Sequence, residues 1–341
     1  LLIMKLQSGY AFTLLLLLTG CGGGGGSSDS GTTQLSLAIS DAPVDSVQQV
    51  CIAVSRINLN SVTGWGPLAL LRTTNSDGCL PDGYAIPTDT SGNPTFFYLD
   101  LLKYQNSVKH ALLSDVIIPS GTYEQLRLQI EDGRTSYLTQ TTGTDATFPA
   151  SYVKDDSDNI LPLEVPSSEV KLHSFTAPVN GVLDYQVEFN LRHAMVLPGH
   201  GNYYKLKPNG VELLDVDVLS TISGSVATTD TNCGATALAN GDVGVYLYNS
   251  TVTDYQGVDY DSSNNGPVLT AMVSDDNADD VYNYQLNYVE AGSYKLALVC
   301  NASADELTEA GNSSSFTPTV VEPPKEVQVD PTVTTTMTEN F

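Results

Sequence analysis

The chain has 341 residues, with 39 acidic and 14 basic side chains and a formal net charge of −25. A surface of that sign repels nucleic acid and anionic lipid headgroups, so both are excluded as electrostatic partners. The acidity is uneven: residues 220–341 hold only Lys295 and Lys325 against 17 acidic residues, and this composition break near Leu219 predicts a domain boundary.

The N-terminal stretch reads as an address. Met4 and Lys5 make a short positive start, residues 10–18 an apolar run, and Leu18-Thr19-Gly20-Cys21 a small-residue cleavage site. A bilayer-spanning helix needs about 20 apolar residues, so residues 1–20 read as a secretory signal, with Leu1 to Ile3 preceding the translational start. Cleavage before Cys21 leaves its thiol at the new N-terminus, where it resembles the lipobox of bacterial lipoproteins. That resemblance implies that Cys21 carries acyl chains and holds the protein to a membrane. Gly22, not Asp, follows the cysteine, which by the same resemblance implies the outer membrane. Residues 21–33 are rich in Gly and Ser and read as a slack tether spanning roughly 20 Å on average.

From there the expected fold is all-β. Strands are predicted at residues 34–39, 47–59, 125–130, 184–191, 211–218, 242–248 and 294–300, separated by Asn, Asp, Gly and Pro clusters. In DYQVEFNL, residues 184–191, Tyr185, Val187, Phe189 and Leu191 alternate with Gln186, Glu188 and Asn190, the mark of a half-buried strand. Leu99, Leu102, His110 and Leu113 come near helical spacing, so a short helix is expected within 98–113. PSGTYEQLRL at 119–128 and AGSYKLAL at 291–298 share a turn-to-strand device, with Tyr123 out of phase with Leu126, Leu128 and Ile130, and Tyr294 in phase with Leu296 and Leu298. The expected organisation is a signal (1–20), an acylated cysteine and tether (21–33), an N-terminal β-sandwich (34–219) and an acidic C-terminal β-sandwich (220–341).

Apart from Cys21, the cysteines are Cys51, Cys79, Cys233 and Cys300. Four cysteines allow three pairings, and only Cys51–Cys79 with Cys233–Cys300 keeps each bond inside one expected domain. No Cys-x-x-Cys spacing or nearby histidine favours zinc.

Residues 35–54 (LSLAISDAPVDSVQQVCIAV), Trp65, FFYLDLL at 96–102, IPSGTYEQLRLQI at 118–130 and YYKLKPNGVEL at 203–213 together resemble the bacterial lipoprotein family of domain of unknown function 4382, over residues 34–218. The segment behind it, with Gly224 to Val226 and GSYKLAL, resembles transthyretin-like or carboxypeptidase-regulatory-like sandwiches. The family has no established activity, so the resemblance supplies no catalytic residue.

None emerges from the residues either. Ser40-Asp41-Ala42-Pro43-Val44-Asp45 offers two carboxylates four apart, but an Asp before Ala-Pro reads first as a turn former. His193 and His200 flank a Pro-Gly turn without a third ligand, and no nucleophile elbow, zincin helix or phosphate loop is present. SDDNADD at 274–280, with Asp275, Asp276, Asn277, Asp279 and Asp280, and DDSDN at 155–159 pack oxygen ligands of the kind calcium prefers, without EF-hand length, Gly or terminal Glu; solvated turns are the expectation, and no metal or cofactor is assigned. Tyr282, Tyr284, Leu286 and Tyr288 alternate with Asn283, Gln285 and Asn287, which places the tyrosines on a core face rather than a sugar-stacking one. The functional expectation is a membrane-anchored, non-enzymatic binding or scaffolding module of the cell envelope, with a glycan or another envelope protein as partner and no nucleic acid. The rival is an envelope hydrolase, which would gather acidic residues or histidine in one concave pocket with shifted proton affinities.

Overall fold

Continuous apolar runs such as VCIAV at 50–54 form strands buried on both faces, and alternating runs form strands with one covered face. The computed structural model describes residues 31–42, 47–61, 64–68, 76–105, 108–141, 147–199, 201–227, 233–275, 281–308, 315–321, 323–330 and 336–341. Cys21, His200 and residues 276–280 lie outside the described residues.

The principal strands before Leu219 are β1 (Thr32–Ala42), β2 (Val47–Ser61), β3 (Phe97–Asp100), β4 (His110–Pro119), β5 (Gly121–Ile130), β6 (Tyr152–Asp155), β7 (Ile160–Glu164), β8 (Glu169–Leu172), β9 (Val182–Asn190) and β10 (Val211–Asp215), with one helical turn, α1 (Leu191–Ala194), after β9. Beyond it lie β11 (Ser220–Val226), β12 (Gly244–Asn249), β13 (Leu269–Met272), β14 (Tyr282–Val289), β15 (Gly292–Val299), β16 (Lys325–Val329) and β17 (Thr336–Thr338).

A four-stranded sheet, β10-β9-β1-β4, packs on a larger sheet built on β8-β5-β2-β6-β7. Between them lie Leu35, Leu37, Ile39, Val50, Ile52, Val54, Val187 and Phe189, all buried. On the far face of β2, Cys51 and Ala53 pack with Phe96, Tyr98 and Tyr152 under a cover pinned by the Cys51–Cys79 disulfide. Both faces of β2 are thereby dry, which accounts for its uninterrupted apolar run.

After Leu219 the strands form β14-β11-β17 and β13-β12-β15-β16, around a core of Ile222, Val245, Leu247, Tyr284, Leu286, Leu296 and Leu298. Among the described residues no sheet joins strands from the two sides of Leu219. Cys233 and Cys300 are bonded. The all-β sandwich expectation and the two predicted disulfides therefore hold.

The expected helix within 98–113 is absent. Residues 97–100 pair with β2 in register Val54 with Phe97 to Cys51 with Asp100, followed by a single 3-10 turn at Leu101–Lys103. All four β3 residues are buried, so Leu99 belongs to a strand covered on both faces, and Leu102 to the turn that follows it. Tyr123 also departs from expectation. A bulge between Asn60 and Ser61, against Gln125 and Tyr123, shifts the phase by one residue and turns Tyr123 into the same core as Leu126 and Leu128.

Candidate functional site

The site is built on the outer face of the four-stranded sheet. Along β9, Leu183, Tyr185, Val187 and Phe189 enter the core, so Gln186, Glu188 and Asn190 point away from it. β1 runs parallel, with Ser40 beside Glu188, and β10 runs antiparallel, with Glu212 directly opposite Glu188. An outward polar face is normally wet. Here Gln186, Glu188 and Ser40 are buried, with Tyr288 of β14 set against them.

Ser40 and Gln186 both donate hydrogen bonds that converge here: the Ser40 hydroxyl donates to Glu188 Oε2, and Gln186 Nε2 donates to Ser40 Oγ and, at 3.2 Å, to Glu188 Oε2. Tyr288 closes the network from β14, hydrogen-bonded to Gln186 and Ser40. Its placement corrects the expected tyrosine row. Tyr284 and Leu286 are core residues, but two residues of β14 oppose one of β11 between Leu286 and Val289, and Tyr288 takes φ +60°. A bulky side chain at positive φ is strained, and this bulge re-aims the ring from the core to the seam between the two bodies.

Burial raises the Glu188 carboxyl to about 7, with Glu212 adding repulsion while Ser40 and Gln186 pull the other way. Glu212 is raised as well, first by burial and then by Glu290. Asp41 is not a turn former. It ends β1 on the inward side, buried, accepting from Gln105 Nε2 at 3.3 Å and from the Leu191 amide. Burial and then Glu188 raise its carboxyl well above the usual range. Asp45 lies outside the described residues.

Glu188 and Glu212 form one wall of a cleft of about 340 Å³ between the bodies, with Asn190 and His193 from the first and Asn287, Tyr288 and Glu290 from the second. Among the described residues that line it there is no lysine or arginine. His193 Nε2 and Asn190 Oδ1 are buried without partners, and burial, reinforced by Arg192, lowers the His193 imidazole to about 4, leaving it neutral at pH 7. Of the two candidate histidines, His193 thus belongs to the cleft wall and His200 lies outside the described residues.

Arg192 fixes the cleft's back. From α1 it enters the C-terminal body, donating to the Ala302 carbonyl at 2.6 Å and the Asp305 carbonyl at 3.0 Å, with its guanidinium 6.0 Å from the Tyr246 ring centre. Asp305 in turn accepts from the Tyr246 hydroxyl at 2.8 Å and the Val258 amide at 3.0 Å. Nothing in the sequence distinguished Arg192, Asp305 or Glu188, since each gains its meaning from a partner on another strand; the only signal was a carboxylate and an amide on a strand face that proved to be covered.

The acidic turns behave differently. Asp155 accepts from the Asn159 side-chain amide at 2.9 Å and from the backbone amides of Asn159 and Ser157 at 2.8 and 2.9 Å, and these bonds, the Asn159 side chain first, hold its carboxyl below the usual range. It therefore acts as a turn former closing the β6–β7 hairpin. Of the 275–280 cluster only Asp275 is described, and among the described residues no group of three or more His, Cys, Asp or Glu is arranged to hold a metal ion.

The family model described as Domain of unknown function (DUF4382) matches residues 32–208. No curated protein matches the chain. Among solved structures it is similar to the major pilin subunit BcpA of Bacillus cereus, at 8% identity and a TM-score of 0.19, covering 91% of this chain and 70% of that one. It is also similar to a candidate cell adhesion protein of Bacteroides fragilis, at 10% identity and a TM-score of 0.20, covering 90% of this chain and 92% of that one. At such TM-scores neither likeness carries a functional argument.

Proposed function

Because the match spans more than half of its length, the chain belongs to the DUF4382 family, and from that premise we propose that it is a non-enzymatic binding module of the bacterial envelope that takes a glycan in the cleft between its two β bodies. In this reading Cys21 is acylated, the outer membrane is the address, and the C-terminal body is a transthyretin-like sandwich that supplies one wall of the site. No cofactor takes part.

One observation carries it: the described lining of the cleft combines carboxylates (Glu188, Glu212, Glu290), amides (Asn190, Asn287) and tyrosine (Tyr288). Sugar hydroxyls donate to and accept from groups of this kind, and the apolar face of a pyranose stacks on an aromatic ring. Asn190 Oδ1, buried and unpartnered, is an acceptor that a hydroxyl satisfies. The carboxylates of Glu188, Glu212 and Glu290 in the lining repel anionic ligands.

A hydrolase remains the second reading for one reason. Glu188 and Glu212 are cross-strand neighbours with raised proton affinity, the combination expected of an acid–base pair. Against it, Glu188 Oε2 is held by Ser40 and Gln186 beneath Tyr288, and His193 is neutral with its Nε2 unpartnered. Calorimetric titration with envelope oligosaccharides tests the proposal. Saturable binding is expected, weakened about tenfold by Asn190→Ala, which removes an acceptor worth about 1.4 kcal/mol. Equal affinity in the variant would remove the cleft from the account.

A further inference from the structure

Three aliphatic side chains stand exposed around the point where the chain enters the fold. The Gly31 carbonyl accepts from the amide and hydroxyl of Ser120, both at 2.8 Å; the Thr32 carbonyl accepts from the Asn180 amide at 2.8 Å; and the Gln34 amide donates to the Gly181 carbonyl at 3.0 Å. The beginning of β1 is thus clasped between two turns. Beside those turns lie Ile117, Val179 and Val182, which are 57%, 57% and 64% exposed. Ile117 and Val182 are the two register partners of Gln34, so they stand on one sheet face on either side of it, and Val179 packs against Gly31.

We propose that this patch rests on the surface of the bilayer to which Cys21 is anchored; the inference depends on the acylation of Cys21 in the reading above. Cys21 and Gly31 are only ten positions apart. Fully extended, the stretch between them reaches about 35 Å, and a Gly/Ser-rich chain of that length averages roughly 16–19 Å. The face that surrounds residue 31 is therefore the face held closest to the lipid. Single exposed aliphatics need no explanation, but three gathered around the one point that the tether must leave form an apolar contact area facing the membrane. The chain's charge of −25 offers no attraction to anionic headgroups, so contact with lipid falls to apolar side chains.

Bromolipid quenching tests it on the full chain produced with its signal and reconstituted in phosphatidylcholine vesicles. Val182→Trp, in a Trp65→Phe background, should be quenched at least twofold more than Val281→Trp, which reports from an exposed site on the C-terminal body. Ile117→Trp is the second reporter should Val182→Trp fold poorly. If mass spectrometry shows acylated Cys21 and the protein floats with the vesicles, yet both reporters stay unquenched, the patch proposal is overturned and the anchor stands. A chain that carries an unmodified Cys21 thiol and does not float overturns the anchor and the patch with it.

Discussion

Glu188 concentrates the chemistry of the seam in one carboxyl. Its folded value of about 7 lies above the ordinary 4.5, so the native state holds a proton that the unfolded chain has released between those two values. The stability this proton brings is complete below about pH 4.5 and is lost as pH rises through about 7. Asp41, raised in the same direction, adds to the trend. Urea unfolding at pH 5 and pH 8 should show the wild type losing up to about 3 kcal/mol, at about 1.4 kcal/mol per unit of displaced pKa, and Glu188→Gln losing much less. A wild type equally stable at both values would mean that water reaches Glu188. The strain at Tyr288 gives a second expectation. Asn tolerates positive φ, so Tyr288→Asn should keep the bulge and the melting temperature within a few degrees while removing the ring from the cleft. Asp41 shows why single residues were hard to read: Asp before Ala-Pro commonly forms a turn, but in this chain β1 continues through it and packing against Gln105 and Leu191 buries it.

At the scale of elements, the strands were legible and their phase was not. The alternation of DYQVEFNL gave β9 and its core face directly, and the apolar VCIAV gave β2. Alternation misplaces Tyr123 and Tyr288 because Tyr123 stands just before a bulged residue and Tyr288 within one, and one extra residue in a strand inverts every assignment across it. The repeated turn-to-strand device proved to share a hydrogen bond as well as a sequence. The Tyr123 hydroxyl donates to the Pro119 carbonyl at 2.8 Å, and the Tyr294 hydroxyl to the Glu290 carbonyl at 3.1 Å, each four residues upstream. Tyr123→Phe and Tyr294→Phe should each cost about 1 kcal/mol, read as a lower melting temperature without a change in fold. The disulfides act at the same scale. Closing spans of 28 and 67 residues, each should stabilise the chain by about 4 kcal/mol on the chain-entropy estimate. The double variant Cys233→Ala, Cys300→Ala should therefore show a lowered denaturation midpoint, while an unchanged one would mean that the C-terminal core suffices alone.

For the whole molecule, the relation of the two bodies decides what the protein can do, and that relation was invisible in the sequence. The cleft is assembled from residues 188–214 and 261–294, brought together only by the fold. Arg192 is the clasp, and Arg192→Ala should cost about 3 kcal/mol by leaving buried carbonyls and Asp305 without their cation. A variant that unfolds at the wild-type denaturant concentration would show that the seam holds without it. The central claim is that this clasped, tethered body binds an envelope glycan and leaves it intact. Its most direct test is to load purified envelope glycan on the immobilised full chain, wash, elute and weigh the eluate by mass spectrometry. The account predicts that glycan is retained at unchanged mass, and that Tyr288→Asn cuts retention about tenfold; shortened products that disappear with Glu188→Gln or Glu212→Gln would contradict it and assign the cleft to hydrolysis.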